Sequence, residues 1–267
     1  EQALAIYRQR FGDLHPDVAE TYNNLAVARS QAGDVAGAVD AMRSAIATLR
    51  QLFGDGHPGL ILPLSSLGSL LVREERSVEA LPVLEQARQL SLAELPAEHP
   101  HRALVAHNLA SALLAQQRFD VARPLLEEAL AGFEATLGPG HPNVGIAALN
   151  LGRSLFEVEP ARAAGLFDRA VELLREAPPQ TRVYLLQALE EQARVRLRDG
   201  GDGAVEPLVE AVRLALDAED RNTACALRPA LRQAVLASRR PGATAEEPDE
   251  LRRTADQLLA ELESCGG

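Results

Sequence analysis

The sequence has no tryptophan and no lysine, one methionine, two cysteines and few aromatic side chains, 3% of its 267 residues. Each scarcity excludes something. With so few aromatics against 46% hydrophobic residues, many of them alanine and leucine, helices packed through small contacts are favoured over a β-rich or aromatic-centred core. Cys225 and Cys265 lie far apart without a metal-ligand spacing. Neither a disulfide framework nor a zinc site is therefore expected, and the cytoplasm is the natural compartment. No run of about 18 apolar residues occurs and no signal peptide opens the chain, so no membrane partner is expected. A net charge of −11 sets aside a sequence-independent grip on nucleic acid. All 27 basic residues are arginine, a composition in keeping with a GC-rich bacterial source. The chain opens at Glu1 rather than at Met, which suggests a piece of a longer protein.

What the sequence does have is a repeat, and the repeat decides the architecture. His-Pro occurs at His15-Pro16, His57-Pro58, His99-Pro100 and His141-Pro142, forty-two residues apart each time. Leu25, Leu67, Leu109 and Leu151 keep the same step, each followed by a small residue: Ala26, Gly68, Ala110 and Gly152. Ala38, Ala80 and Ala122 recur likewise, as do Ala45, Ala87 and Ala129 seven positions on. Ala163 with Ala170, and Ala204 with Ala211, continue the pair with a one-residue slip.

Each unit reads as helix, turn, helix. Proline after histidine suits a first helical position, where its missing N–H costs nothing. The apolar 3–4 spacing of Val18, Tyr22, Leu25 and Ala26 gives helix A one buried face. Gly33-Asp34 then breaks the helix, and helix B runs from Val35 to about Leu52. Small columns let the two helices of a pair approach closely. The reading is a single all-α solenoid of stacked helical hairpins. Residues 1–14 are the B helix of a truncated repeat, and 15–56, 57–98, 99–140 and 141–180 are clear repeats. Residues 181–221 form a degenerate repeat, and 222–267 divergent capping helices joined by a connector at Pro241-Gly242-Ala243-Thr244.

Tyr22-Asn23-Asn24-Leu25-Ala26, Gly33-Asp34, Ala38 and the Gly-Asp-x-His-Pro between units together resemble the tetratricopeptide repeats of kinesin light chain. The resemblance covers residues 1–177 well and 178–215 weakly. It implies a right-handed superhelix whose A helices line a concave groove for extended peptides. In bacteria such repeats often accompany signalling modules, which implies a scaffold within a larger regulatory protein.

On that fold, the residue before the Leu column points into the groove: Asn24, Ser66, Asn108, Asn150 and then Glu191. Related repeat families, including that of O-GlcNAc transferase, grip a ligand's main chain with asparagines here. An Asn amide both donates and accepts, so it pairs with a peptide unit whatever the side chain. The competing role is hydrogen bonding between repeats that tunes their stacking. Arg153, Arg194 and Arg198 gather toward the C-terminal half, where they suit an acidic peptide or a terminal carboxylate, or instead pair with Glu157, Glu190 and Glu191. Leu62, Leu104, Ile146 and Leu149 are either apolar sockets or core.

The periodic histidines stand roughly 10 Å apart on stacked helices, too far to share one metal, so helix capping is their expected role. No phosphate-binding loop, dinucleotide fingerprint or nucleophile elbow appears. The expected protein is therefore no enzyme and needs no cofactor or metal. Its partner is a peptide or protein, with self-assembly into a homo-oligomer as the alternative.

Overall fold

The computed structural model describes residues 2–201, 203–239 and 249–264. Among these are thirteen α-helices and three short 3-10 turns, with no strand. The helices are α1 (Gln2–Phe11), α2 (Pro16–Gln31), α3 (Val35–Phe53), α4 (Ile61–Arg73), α5 (Ser77–Glu94), α6 (Pro100–Ala115) and α7 (Phe119–Leu137). They continue as α8 (Pro142–Leu155), α9 (Pro160–Arg175), α10 (Arg182–Arg198), α11 (Val205–Asp217), α12 (Arg221–Ser238) and α13 (Asp249–Glu261). The fold class is the all-α solenoid type that the repeat predicts. Residues 240–248 and Cys265 lie outside the described residues, and with them the connector at 241–244.

Histidine starts the helices. In all four His-Pro pairs the imidazole Nδ1 accepts the backbone N–H two residues on, at 3.0–3.2 Å. Each bond satisfies one of the amides that a helix start otherwise leaves unpaired. An accepting Nδ1 requires a neutral ring with its proton on Nε2. Phe11 stacks on His15 and Phe53 on His57, with ring centroids 4.4 and 4.5 Å apart, so the last turn of one B helix braces the next cap.

Close approach within a pair explains the small columns. Ala26, Ala38, Ala45, Ala80, Ala87, Ala110, Ala122, Ala129, Ala163, Ala170, Ala204 and Ala211 are all sealed from solvent. A Cβ on Gly68 would stand 2.3 Å from Leu84 Cγ, and one on Gly152 2.5 Å from Phe167 Cε1. Leu84 and Phe167 occupy the space those glycines leave, and both are fully buried. The turn after helix A needs a left-handed residue. Gly33 supplies it with φ 84°, whereas Glu75 and Gln117 adopt φ 59° and 57° at the same repeat position.

The chain divides into two compact units, Glu1–Pro139 and Gly140–Gly267. In the first, α2 packs on α3, α4 on α5 and α6 on α7, with α5 against α6 and α4 against α6. Met42, Leu60, Leu64, Leu71, Leu84 and Leu126 fill its core. Arg88 clamps Glu128 through both guanidinium nitrogens, linking α5 to α7. Helix α1 touches α2 but buries none of its residues: Leu4 is half-buried, while Ile6, Tyr7 and Phe11 are exposed.

In the second unit α8 packs on α9, α9 on α10, α10 on α11 and α11 on α12, with α13 against both α11 and α12. Leu149, Leu151, Leu155, Phe167, Leu174 and Leu189 form its core. The His-Pro start is missing from α10 and α12. Asp220 caps α12 instead, accepting the Thr223 hydroxyl and, at 3.0 Å, the Thr223 N–H, which together hold its carboxyl below the usual carboxylate range. One sequence expectation is corrected: Cys225, on α12, is disulfide-bonded.

Candidate functional site

The A helices carry every residue of the predicted site. In the first unit these are α2, α4 and α6. Asn24 is exposed on α2 and Ser66 is half-buried on α4. Asn108, on α6, is committed locally: its Nδ2 donates to Ser65 Oγ at 2.9 Å, with the Ser65 carbonyl at 3.5 Å. This ties α6 to α4 across the repeat boundary, the stacking role weighed above. Beside Asn108, the part-buried His107 has its ring 5.9 Å from that of Phe133, and burial pushes its imidazole down to about 4. Leu62 is exposed and Leu104 half-buried, and Glu20 on α2 and Arg73 on α4 are exposed charges, so this unit offers amide, hydroxyl, apolar and some charged surface.

The second unit presents α8, α10 and α12. Asn150 is only 9% exposed and its side chain is engaged. Ile146 and Leu149, candidates for sockets, belong to the core. The three arginines come together around one carboxylate and one ring. Arg153 Nε donates to Glu191 Oε1 at 3.0 Å, and its Nη1 reaches Gln187 Oε1 at 3.4 Å. Arg194 Nη1 donates to Glu191 Oε2 at 3.4 Å, so Glu191 bridges both guanidinia. The Arg194 guanidinium lies 4.3 Å and that of Arg198 5.2 Å from the centroid of the buried Phe156 ring. Arg198 also donates to the Phe156 carbonyl at 3.2 Å and to Glu157 Oε2 at 3.3 Å.

These contacts remove part of the arginines' appetite for an outside anion. Arg194 and Arg198 stay exposed nonetheless, and a guanidinium with one carboxylate partner retains free donors. Phe156 was missed by sequence reasoning, although it stands four residues past Gly152, the fourth member of the small-residue column, and sets where two arginines rest. Next to Gln187, a cavity of about 330 Å³ opens between α10 and α12, floored by Val183, Leu186 and Leu227 and edged by Arg182, Glu190 and Asp220. Among the described residues no group of three or more His, Cys, Asp or Glu side chains is placed to hold a metal ion.

The helix pairs, their sealed alanine columns and the capped starts define a class of protein built to present side chains along a row of A helices. The tetratricopeptide repeat family matches residues 1–51 and 101–176, just under half of the chain. The match shows tetratricopeptide repeats over those residues, on a fold of the tetratricopeptide type. The forty-two-residue step is the feature on which the resemblance to kinesin light chain rests. A putative kinesin light chain from Podosopora anserina with nearly identical repeats superposes with a TM-score of 0.60 at 24% identity, over 77% of this chain and 98% of that one. BtubC (BKLC) from P. vanneervenii gives 0.59 at 21%, over 92% and 93%. A Rap protein complexed with Competence and Sporulation Factor gives 0.63 at 17%, over 91% of this chain and 66% of that one. These likenesses show the fold. No match is found among curated proteins.

Proposed function

We propose that the chain is a scaffold that holds an extended segment of a partner protein along its A-helix faces, without catalysis. The observation that carries the reading is the set of polar side chains those faces leave accessible: Asn24 and Ser66 in the first unit, Arg194 and Arg198 in the second. Asn24 and Ser66 serve the partner's main chain, since amide and hydroxyl both donate and accept. Arg153, Arg194 and Arg198 serve acidic groups. Asn108 and Asn150 contribute mainly by fixing the spacing of the helices that carry the others. A Rap protein of related fold, in complex with Competence and Sporulation Factor, supports this use of the architecture. Such a scaffold would serve as a module of a larger bacterial regulatory protein.

Site-specific photo-crosslinking tests the proposal. A benzophenone side chain at position 66, on an A helix, is expected to trap partner peptides from the source cell. The same group at position 89, exposed on helix α5, is expected to trap none. Crosslinks from position 89 alone would overturn it.

Self-assembly is a second reading, favoured by α1. A helix with Ile6 62% exposed beside Tyr7 and Phe11 shows an apolar face that a second copy can cover. Sedimentation across a concentration range decides it, because a strict monomer contradicts this reading. No described helix is long and apolar enough to cross a membrane. We keep the cytoplasm as the proposed setting on the scarcity of cysteine; the bonded state of Cys225 weighs against a reducing compartment. Thiol labelling of Cys225 in freshly lysed cells checks this, a free thiol favouring the cytoplasm.

A further inference from the structure

Seven of the sixteen arginines of the second unit have acidic partners among the described residues: Arg153 and Arg194 share Glu191, Arg198 takes Glu157, Arg175 takes Glu210, Arg239 takes Asp256, Arg162 takes Glu159 and Arg196 takes Asp168. Arg228 and Arg232, on α12, make no ion pair or hydrogen bond among the described residues. They sit one turn apart on one helix face, where two like charges oppose each other. Leaving them together is unfavourable in the free protein, yet the chain carries 38 acidic residues that could have neutralised them.

Their register adds a second observation. The small residue Ala193 of α10 recurs as Ala234 of α12. The position two residues before it, held by Asn108 and Asn150 in earlier repeats and by Glu191 in α10, is therefore Arg232. The last place of the groove-facing column is a cation, with an open groove of about 480 Å³ beside it lined by Arg228, Pro229, Arg232, Gln233 and Leu236. Leu236 is 58% exposed, one turn beyond Arg232.

Spacing names the ligand. Arg228, Arg232 and Leu236 follow one another at steps of four residues, about 6 Å along a helix axis. Alternate residues of an extended chain point the same way and stand about 6.7 Å apart. We infer that the free face of α12 reads a partner peptide as acid-x-acid-x-apolar, one carboxylate on each of Arg228 and Arg232 and the apolar side chain on Leu236 and Pro229. Each guanidinium can hold its carboxylate through two parallel N–H donors. On a protein of net charge −11, an uncompensated cationic row is also where an acidic segment is drawn first.

The inference rests on the peptide-scaffold reading, and the test separates the two. Labelled peptides containing Glu-Ser-Glu-Ser-Leu and Gln-Ser-Gln-Ser-Leu are titrated against the full chain and against the double variant Arg228→Gln, Arg232→Gln, with helicity checked by circular dichroism. The glutamate peptide is expected to bind at least about tenfold tighter than its glutamine twin, to lose that advantage in the variant, and to weaken with added salt. Equal binding of the two peptides to the wild-type chain overturns the assignment of α12 and leaves the scaffold reading standing. An advantage that survives in the variant does the same. Binding of neither peptide overturns the assignment too, while partner capture from position 66 decides the broader reading on its own.

Discussion

The two units use one packing scheme to present different chemistry. In the first, the columns repeat without slip, two A helices start on stacked His-Phe pairs, and the columns of Asn24, Ser66 and Asn108 and of Val27, Ser69 and Ser111 are neutral. In the second, the step slips by a residue, the histidine caps give way to other starts after His141, and the same columns carry Glu191 and Arg232, and Arg153 and Arg194. The core contact survives the change: Leu84 against Gly68 and Phe167 against Gly152 are the same solution with different side chains. Buried small-to-large complementarity thus holds the hairpins, while surface positions of the A helices vary with the task.

That comparison can be broken at its core first. Phe167→Ala is expected to cost about 3–5 kcal/mol and Leu84→Ala about 2–5 kcal/mol, read by urea unfolding, since each empties the space beside a glycine. A cost near zero for either would mean the pairs do not rest on this contact.

A smaller effect follows from histidine. Burial lowers the His107 pKa to about 4, so the unfolded chain binds more protons than the folded one below the ordinary histidine value of about 6.5. Its contribution to stability is whole above about pH 6.5 and is lost as pH falls toward 4. Stability measured from pH 7 down to pH 4 is expected to fall more in the wild type than in His107→Gln. Equal falls in the two would contradict the buried neutral ring of His107.

The smallest effect is a gain. Glu75→Gly and Gln117→Gly relieve left-handed backbone that Gly33 occupies freely, and each is expected to stabilise by about 0.5–1 kcal/mol in thermal melts. Loss of stability would show that the side chains hold the turn by other means.

The fold was legible because a forty-two-residue period leaves few architectures, and because alanine, glycine and His-Pro mark contact, turn and start separately. The site was legible only as columns. Asn108 gave no sign that its amide was committed to Ser65, since both lie in polar-looking stretches of different repeats. Arg153 meets Glu191 in the free protein because neighbouring A helices bring different columns together, which a single-repeat register does not display. Arg232 was hidden by the slip in step, and the strained turns by the ordinary look of Glu75 and Gln117.

The central claim is that accessible A-helix side chains bind while committed ones hold spacing. Calorimetric titration of the crosslinked partner segment against Asn24→Ala, Ser66→Ala and against Asn108→Ala, each with its melting curve, addresses it directly. The first variant is expected to lose at least about tenfold in affinity at an unchanged melting temperature, and the second to lose about 1 kcal/mol of stability with its hydrogen bond to Ser65. Full affinity in the Asn24→Ala, Ser66→Ala protein would contradict the account.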